Sequence, residues 1–266
     1  MDYKKLCFQV QDIAREVGAF IREEQKKITA KNIEVKSVAS LVTYVDKTAE
    51  ERIVTALKKL IPESGFVAEE GTADSNQEKF TWFIDPLDGT TNYLFGIAPH
   101  SVSIALAQNG KMVLGVVYEL GADEMYYAWK ESPAYCNGEE IKTANRSKSE
   151  ETLIGTGFPY YDFDRVNDYI DAMRYLMKNT LGLRRFGSAA VDLCYVASGR
   201  FDAFYEHALH AWDVAAGVFI LQQAGGKITD FNGGENWLFG GELVSASGAY
   251  FDEFYSIIHC YLGEKQ

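Results

Sequence analysis

The chain has 266 residues, with 26 Lys plus Arg against 38 Asp plus Glu, so its formal net charge is −12. The length permits one large domain or two closely packed halves and excludes a small peptide module. Because no basic excess is present to displace counterions from phosphates, the charge argues against a nucleic-acid-binding surface, whereas an acidic chain can hold cations. The hydrophobic fraction of 47% is typical of a globular protein with a sizeable core.

The cysteines and the chain start bear on the compartment. Cys7, Cys136, Cys194 and Cys260 form no CxxC pair, so the sequence predicts reduced thiols rather than a zinc site or a disulfide framework. Charged residues interrupt the first twenty positions, and the chain has no apolar run of about 18 residues or more. We therefore expect a cytoplasmic protein without membrane contact.

The first part of the chain predicts two helices that flank a short strand. An apolar stripe at intervals of three and four predicts an opening helix, with the members Leu6, Val10, Ile13, Val17 and Phe20. Residues 40–45 predict a strand that runs into Asp46, and the helix after it should stop before Pro62.

The next segments predict a sheet. Residues 65–71 read as a short strand, and the apolar run 81–84 reads as a buried strand that stops at Asp85. Two AsnGly pairs, at 109–110 and 137–138, separate β-rich runs between residues 101 and 142 and so predict antiparallel hairpins.

From about residue 151, predicted strands and helices alternate to the end of the chain. We expect strands near 152–158, 201–206, 227–230 and 242–247, and helices near 164–178, 187–199, 212–226 and 251–262. No repeat or linker composition divides the chain. The prediction is a single domain over 1–266 of mixed α+β or α/β class, with two sheet-bearing halves at about 1–150 and 151–266.

The segment WFIDPLDGTTNY (82–93) is the densest candidate for chemistry. A buried strand meets a turn in which Asp85 and Asp88 flank Pro86, whose fixed φ helps the turn direct both carboxylates to one point. Paired carboxylates are hard oxygen ligands that suit Mg²⁺ or Mn²⁺ rather than zinc. Taken alone, the same residues are also consistent with a plain turn before a capped helix.

Further carboxylates follow other apolar segments. Only one of Glu69 and Glu70 should enter a shared site, since successive strand residues point to opposite faces. Asp213 could be the N-cap of the next helix, and Asp46 could cap the helix that follows it. Together these positions supply five carboxylates at segment ends, where α/β architectures place their sites. Such a cluster requires divalent cations, which favours metal-assisted hydrolysis of a phosphate ester.

Four motifs now identify a resemblance. DPLDGTTN at 85–92, AEEG at 68–71, LVTYVD at 41–46 and AWDVAAG at 211–217 are similar, in order and spacing, to signatures of the inositol monophosphatase family, among the lithium-sensitive, magnesium-dependent phosphatases. The resemblance covers nearly the whole chain. It implies a layered αβαβα sandwich, a homodimer, lithium inhibition, and direct attack of a metal-activated water on a small phosphate ester without a covalent intermediate.

The resemblance also implies roles for the metal-site residues. Two to three Mg²⁺ ions are implied, with Mn²⁺ as a substitute and the third ion near Glu69. Asp46 and Thr90 would orient and deprotonate the attacking water. The implied metal ligands are Glu69, Asp85, the Leu87 carbonyl and the Thr90 hydroxyl for the first ion, and Asp85, Asp88 and Asp213 for the second.

Substrate contacts are implied at three places. The amides of Gly89 and Thr90 would meet the phosphate at a helix N-terminus, flanked by the ligands Asp88 and Asp213. The segment 187–190, with Gly187, Ser188 and Ala189, resembles the family's substrate-contacting segment. Glu206, seven residues before Asp213, lies where the family has its inositol-binding glutamate; an exposed strand-end carboxylate is the alternative.

Two positions fit the pattern less directly. Ser40 stands where the family often has Asp, and the stretch from Lys36 to Asp46 is short for a segment that carries metal-site contacts, which bears on the third ion. Arg184 and Arg185 could steer an anionic substrate or form surface salt bridges.

Other classes of protein stay open. A haloacid-dehalogenase-type phosphatase has one residue between its two aspartates, whereas Asp85 and Asp88 have two, and it would form an aspartyl phosphate. Within the same superfamily the alternatives are a fructose-1,6-bisphosphatase and a bisphosphate nucleotidase. A catalytically silent binding protein is the non-enzyme alternative.

Overall fold

The computed structural model describes residues 1–27, 33–37, 40–71, 78–158 and 163–264. Within these ranges the helices are α1 (Tyr3–Gln25), α2 (Tyr44–Leu60), α3 (Thr90–Leu94), α4 (Val166–Asn179), α5 (Ala189–Ala197), α6 (Ala211–Gln223) and α7 (Phe251–Leu262). None of them is long and apolar enough to cross a membrane.

A seven-stranded sheet is formed by the first half of the chain. In spatial order its strands are β3 (Gly65–Ala68), β4 (Phe80–Asp88), β5 (Ser101–Gln108), β6 (Lys111–Glu119), β7 (Glu124–Trp129), β8 (Ala134–Cys136) and β9 (Glu139–Ile141). All neighbours pair antiparallel except β3 and β4, which are parallel. Before it in the chain, β1 (Ile33–Ser37) and β2 (Ser40–Thr43) form a separate hairpin.

The second half forms a five-stranded sheet. Its strands are β10 (Leu153–Thr156), β11 (Gly182–Arg184), β12 (Ala203–His207), β13 (Gly226–Thr229) and β14 (Glu242–Ser247). Their spatial order is β11-β10-β12-β14-β13, with β10 parallel to both neighbours and the other pairs antiparallel.

Five layers result from the way the faces of these elements are covered. Along β4, Trp82 and Ile84 pack under α1 and α2, whereas Phe83 faces the opposite core with α5 and α6. Phe204 of β12 closes that central core from the other sheet. Because successive strand residues point to opposite faces and both faces are buried, the strand is apolar without alternation.

The outermost layer is formed by α4 and α7. They cover the far face of the second sheet through buried aromatic residues such as Tyr169 and Phe254. The predicted αβαβα sandwich is thereby confirmed.

Both predicted AsnGly hairpin turns are confirmed. Asn109 and Gly110 have φ of 51° and 75°, and Asn137 and Gly138 have φ of 48° and 92°. Positive φ at both central residues is the requirement of the type I′ turn, which Asn and Gly tolerate best.

Two strand ends were predicted wrongly. Asp46 is the third residue of α2 rather than the end of a strand or the helix cap, because β2 stops at Thr43; a carboxylate in this first turn is favoured by the helix dipole. Strand β4 continues past Asp85 to Asp88, with an irregular register between them. Pro86 explains the irregularity, since it has no N–H to contribute to the ladder.

Candidate active site

The elements that meet at the site are the end of β4 and the first turns of three helices. Asp85 and Asp88 stand on β4, Thr90 begins α3, Ser188 precedes α5, and Asp213 lies in the first turn of α6. The carboxylates therefore lie beside main-chain N–H groups that a helix start leaves without partners.

Asp88 is bound by the start of α5. Its Oδ2 accepts a hydrogen bond of 2.6 Å from the Ser188 hydroxyl and one of 2.9 Å from the Ala190 main-chain N–H. Only 9% of Asp88 is exposed. This carboxylate thus links the seven-stranded half of the protein to the helix that carries the predicted segment 187–190.

The irregular stretch of β4 around Pro86 brings three predicted metal ligands together. Asp85 accepts a 2.9 Å hydrogen bond at Oδ1 from the N–H of Leu87, on the other side of Pro86. The Thr90 hydroxyl donates a 3.0 Å bond to the Leu87 carbonyl oxygen. The oxygens of Leu87 and Thr90 are therefore adjacent and follow a buried carboxylate.

Asp213 occupies a different helix position from the one predicted. His210 is the N-cap of α6, and Asp213 lies three residues further along, where its Oδ2 accepts a 2.7 Å bond from the His210 main-chain N–H. The N-cap interpretation was wrong. The carboxylate is still anchored to the helix start and is directed toward the acidic cluster.

Burial raises the pKa values of these carboxyl groups, and repulsion from neighbouring carboxylates adds to the rise at Asp85 and Asp213. Burial raises the pKa of Asp85 well above its usual range, and the charges of Glu69, Asp88 and Asp213 raise it further. Burial also raises the pKa of Asp213, with a contribution from the charge of Asp88. For Asp88, burial raises the pKa, while the hydrogen bonds from Ser188 and Ala190 oppose the rise.

Different contacts are made by Glu69 and Glu70, and the entry of only one of them into the shared site stays a prediction. The charge of Glu69 acts on Asp85, so Glu69 belongs with the cluster. The main-chain N–H of Glu70 instead donates a 2.7 Å bond to Glu50 on α2. Both residues follow the end of β3 rather than lying within it.

The chemistry of these donors fits a divalent cation. Four carboxylates that disfavour one another's ionisation need a positive charge to remain ionised together, and carboxylate, carbonyl and hydroxyl oxygens suit Mg²⁺. Within the described part of the chain no three His, Cys, Asp or Glu side chains already converge as a formed metal site.

A stability measurement follows from the raised pKa values. Carboxyl groups of unfolded chains titrate at about pH 4, whereas burial raises the pKa of Asp213 to about 8. Between these limits the metal-free folded protein binds more protons than the unfolded chain, so its free energy of unfolding falls as pH rises. Mg²⁺ competes with those protons.

We expect Mg²⁺ to raise the melting temperature by about 5–10 °C at about pH 8 and by much less at about pH 5.5. The comparison uses metal-free protein with and without Mg²⁺. A sodium salt at equal ionic strength, free of divalent cations, serves as the control. An equal shift at both pH values would show that the carboxylates do not bind the ion.

Glycine is required at position 89 by crowding and by conformation. Gly89 has φ of 85°, and a Cβ there would lie 3.0 Å from the Pro99 carbonyl oxygen and 3.1 Å from that of Gly187. Asn92 ties the same segments together, since its Nδ2 donates to the carbonyl oxygens of Pro99 at 2.7 Å and Phe186 at 2.6 Å. The role of Asn92 was missed, although it stands inside the DPLDGTTN motif.

Glu206 lies on β12 and is 8% exposed, so the predicted alternative of an exposed carboxylate is wrong. The charge of Asp88 adds to the effect of burial on its pKa, and the guanidinium of Arg185 opposes it. Glu206 therefore faces the same charged region as Asp88.

Asp46 is 2% exposed, and its charge contributes to the raised pKa of Tyr93 on α3. This places it beside the helix that begins with Thr90. Lys36 and Ser40 lie on the hairpin strands, where only the backbone is described, and residues 38–39 between them are outside the described residues. The implied third ion is therefore not tested.

The two arginines of the segment 181–187 differ. Arg184 is exposed and donates to its own neighbour, the Leu183 carbonyl oxygen, at 2.9 Å. Arg185 turns inward, and its charge acts on Asp88, Glu206 and Asp192. The two adjacent cations thus have different surroundings.

Known proteins with similar sequences indicate the family to which this chain belongs. The profile of the inositol monophosphatase family matches residues 2–261. An inositol-1-monophosphatase from Mesorhizobium japonicum is 37% identical over 235 residues, 88% of each chain. The Nus factor SuhB of Pseudomonas aeruginosa is 36% identical over 254 residues, 94% of each chain.

A solved structure agrees as well. The extragenic suppressor protein suhB from Bartonella henselae superimposes with a TM-score of 0.90 and 33% identity, over 96% of this chain and 98% of that one. Fold and acidic cluster together define a metal-dependent class of phosphatases that act on small phosphate esters. The chain belongs to the inositol monophosphatase family.

Proposed function

We propose that this protein is a Mg²⁺-dependent phosphomonoesterase that hydrolyses inositol monophosphate or a related sugar or polyol phosphate. The observation that carries the proposal is the burial of Asp85, Asp88 and Asp213 beside one another, which raises the pKa of each carboxyl group, in a member of this family.

The acidic cluster would hold the cations. Glu69, Asp85, the Leu87 carbonyl and the Thr90 hydroxyl are the proposed ligands of one ion, and Asp85, Asp88 and Asp213 those of the second. Mg²⁺ bound there would grip the phosphate, lower the pKa of a bound water and stabilise charge on the leaving oxygen. Mn²⁺ has similar ligand preferences and should substitute.

The proton of the attacking water is assigned to Asp46 and Thr90. The Thr90 hydroxyl would orient the water, and the proton of the water would pass by way of this hydroxyl to the Asp46 carboxylate. The water oxygen then forms the new bond to phosphorus as the bond to the ester oxygen breaks, and the alcohol leaves with a proton from solvent. No enzyme residue is bonded to phosphorus at any stage.

The remaining proposed residues bind the substrate. The main-chain N–H groups of Gly89 and Thr90 are directed at the phosphate, and residues 187–189 line the site opposite them. Glu206 would accept hydrogen bonds from hydroxyl groups of the alcohol, because an ionised carboxylate is an acceptor only. By family resemblance we also propose a homodimer, lithium inhibition and a cytoplasmic location, with neither nucleic acid nor membrane as a partner.

The test is phosphate release from a panel of esters, with and without Mg²⁺ and with added Li⁺. The panel contains inositol 1-phosphate, fructose 1,6-bisphosphate, 3′-phosphoadenosine 5′-phosphate and glycerol 2-phosphate. We expect Mg²⁺-dependent release that is fastest from inositol 1-phosphate and is inhibited by Li⁺.

The other outcomes separate the alternatives. Preference for one of the two bisphosphates would assign the protein to a sister activity with the same chemistry. Phosphate trapped covalently on the protein in a single turnover would contradict direct attack by water. No release from any ester would favour the non-catalytic binding protein.

A further inference from the structure

The carboxylate of Glu206 lies against Gly157, which the sequence analysis did not single out. Strands β10 and β12 pair in parallel with Thr156 opposite Tyr205, which brings the next residue of each strand together. A Cβ on Gly157 would lie 1.7 Å from Oε1 and 2.2 Å from Oε2 of Glu206. No side chain fits at position 157 while Glu206 keeps its place.

Gly157 is a glycine for reasons of space rather than conformation. Its φ lies outside the left-handed region that favours glycine, so alanine could adopt the same backbone. The contact atoms belong to the end of a side chain, which can move. An alanine at 157 would therefore displace the Glu206 carboxylate and leave the strands in place.

Arg185 lies near the same position, against the residue that follows Gly157. Phe158, the residue after Gly157, lies under the Arg185 guanidinium, whose Cζ is 5.5 Å from the ring centroid. The guanidinium also covers Gly187, since its Nη1 is 2.3 Å from the place a Cβ there would take. Gly157 therefore contacts the Glu206 carboxylate, and the next residue, Phe158, contacts the Arg185 guanidinium.

The buried carboxylate of Asp192 on α5 explains why the positive charge of Arg185 is needed beside Glu206. It is 1% exposed, and its Oδ1 has no hydrogen-bond partner among the described residues. Its charge and that of Glu206 repel each other, and Arg185 acts favourably on both. Without the guanidinium, two buried carboxylates would lack the charge that offsets their repulsion.

We propose that Gly157 and Arg185 are positioning residues that fix the Glu206 carboxylate and thereby determine the preference of the site for polyhydroxylated alcohols. Gly157 leaves the space that the carboxylate occupies, and Arg185 holds the carboxylate there against Asp192. The inference rests on the proposed function, because Glu206 is taken to contact the alcohol part of the substrate.

Selectivity is the readout. It is the ratio of kcat/KM for inositol 1-phosphate to that for p-nitrophenyl phosphate, whose alcohol has no further hydroxyl group. Losing a hydrogen bond to a charged acceptor lowers binding by about 10- to 100-fold, and Gly157→Ala should lower the ratio by about this factor. In a Glu206→Ala background the same substitution should have no further effect, since the clashing carboxylate is gone.

Arg185 supplies an independent variant with a matched neighbour. Arg185→Gln should lower the ratio about 10-fold or more, and Arg185→Lys, which keeps the charge but not the planar guanidinium, should lower it less. Arg184→Gln, an equal substitution at the exposed neighbour, should leave the ratio unchanged. Circular dichroism melting checks that each variant is folded.

Three outcomes would overturn the inference. They are an unchanged ratio in both Gly157→Ala and Arg185→Gln, equal losses on the two esters, and a further loss from Gly157→Ala in the Glu206→Ala background. If the wild-type protein hydrolyses neither ester with Mg²⁺, the proposed function fails and this inference fails with it. An active wild type with unchanged selectivity in the variants would overturn this inference alone.

Discussion

Asp88→Asn is expected to lower kcat/KM for inositol 1-phosphate by at least about 10³-fold while the protein remains folded. Asparagine has nearly the same volume and can still accept at its amide oxygen the bonds that Ser188 and Ala190 now donate. It removes the negative charge that the proposed second cation requires. Initial rates at saturating Mg²⁺ and a melting curve test both parts of the expectation.

The matched control for this prediction is Asp12→Asn. Asp12 lies on α1 with its side chain 78% exposed, and it pairs with Arg15 one turn away at 3.4 Å. The same chemical change there should leave turnover within about twofold, because exposed ion pairs contribute little. Normal turnover by Asp88→Asn would remove Asp88 from the metal site.

Thr90→Ala should have the next largest effect, a loss of about 10²- to 10⁴-fold in kcat, since the hydroxyl would no longer orient the water or pass on its proton. In the structure this hydroxyl donates to the Leu87 carbonyl oxygen at the start of α3. Thr90→Ser keeps the hydroxyl and should retain most of the activity. Rates of single turnovers separate this loss of chemistry from a loss of binding.

Thr91 provides the comparison for that substitution. It is the next residue of α3 and is exposed. Thr91→Ala removes an equal hydroxyl from the same helix turn and should change kcat little. If Thr91→Ala were as damaging as Thr90→Ala, the effect would come from the helix and not from proton transfer.

Local patterns in the sequence were enough to predict much of this fold. The AsnGly turns and the apolar stripe of α1 are encoded by neighbouring residues, and both occur as expected. The predicted strand ends near Asp46 and Asp85 were wrong. Near Asp46 strand pairing competes with the start of a helix, and near Asp85 it competes with the effect of Pro86. The organisation of residues 1–266 as a single domain stays a prediction.

Some residues of the candidate site could likewise be predicted from the sequence, and others could not. The carboxylates of DPLDGTTN could be chosen from the sequence because the motif is contiguous. Gly157 and Asp192 could not, and Arg185 could not be told apart from Arg184, since the roles of these residues come from contacts between segments that are distant in the chain. The Asp among the apolar residues 189–197 was a local signal for Asp192.

We propose that the buried carboxylates hold the cation on which hydrolysis depends. The most direct test is phosphate release from inositol 1-phosphate by metal-free wild-type protein as Mg²⁺ is added. We predict no release before the addition, a saturable rise with Mg²⁺, and no comparable rise for Asp88→Asn at any concentration. Release at the same rate with and without Mg²⁺ would contradict the account.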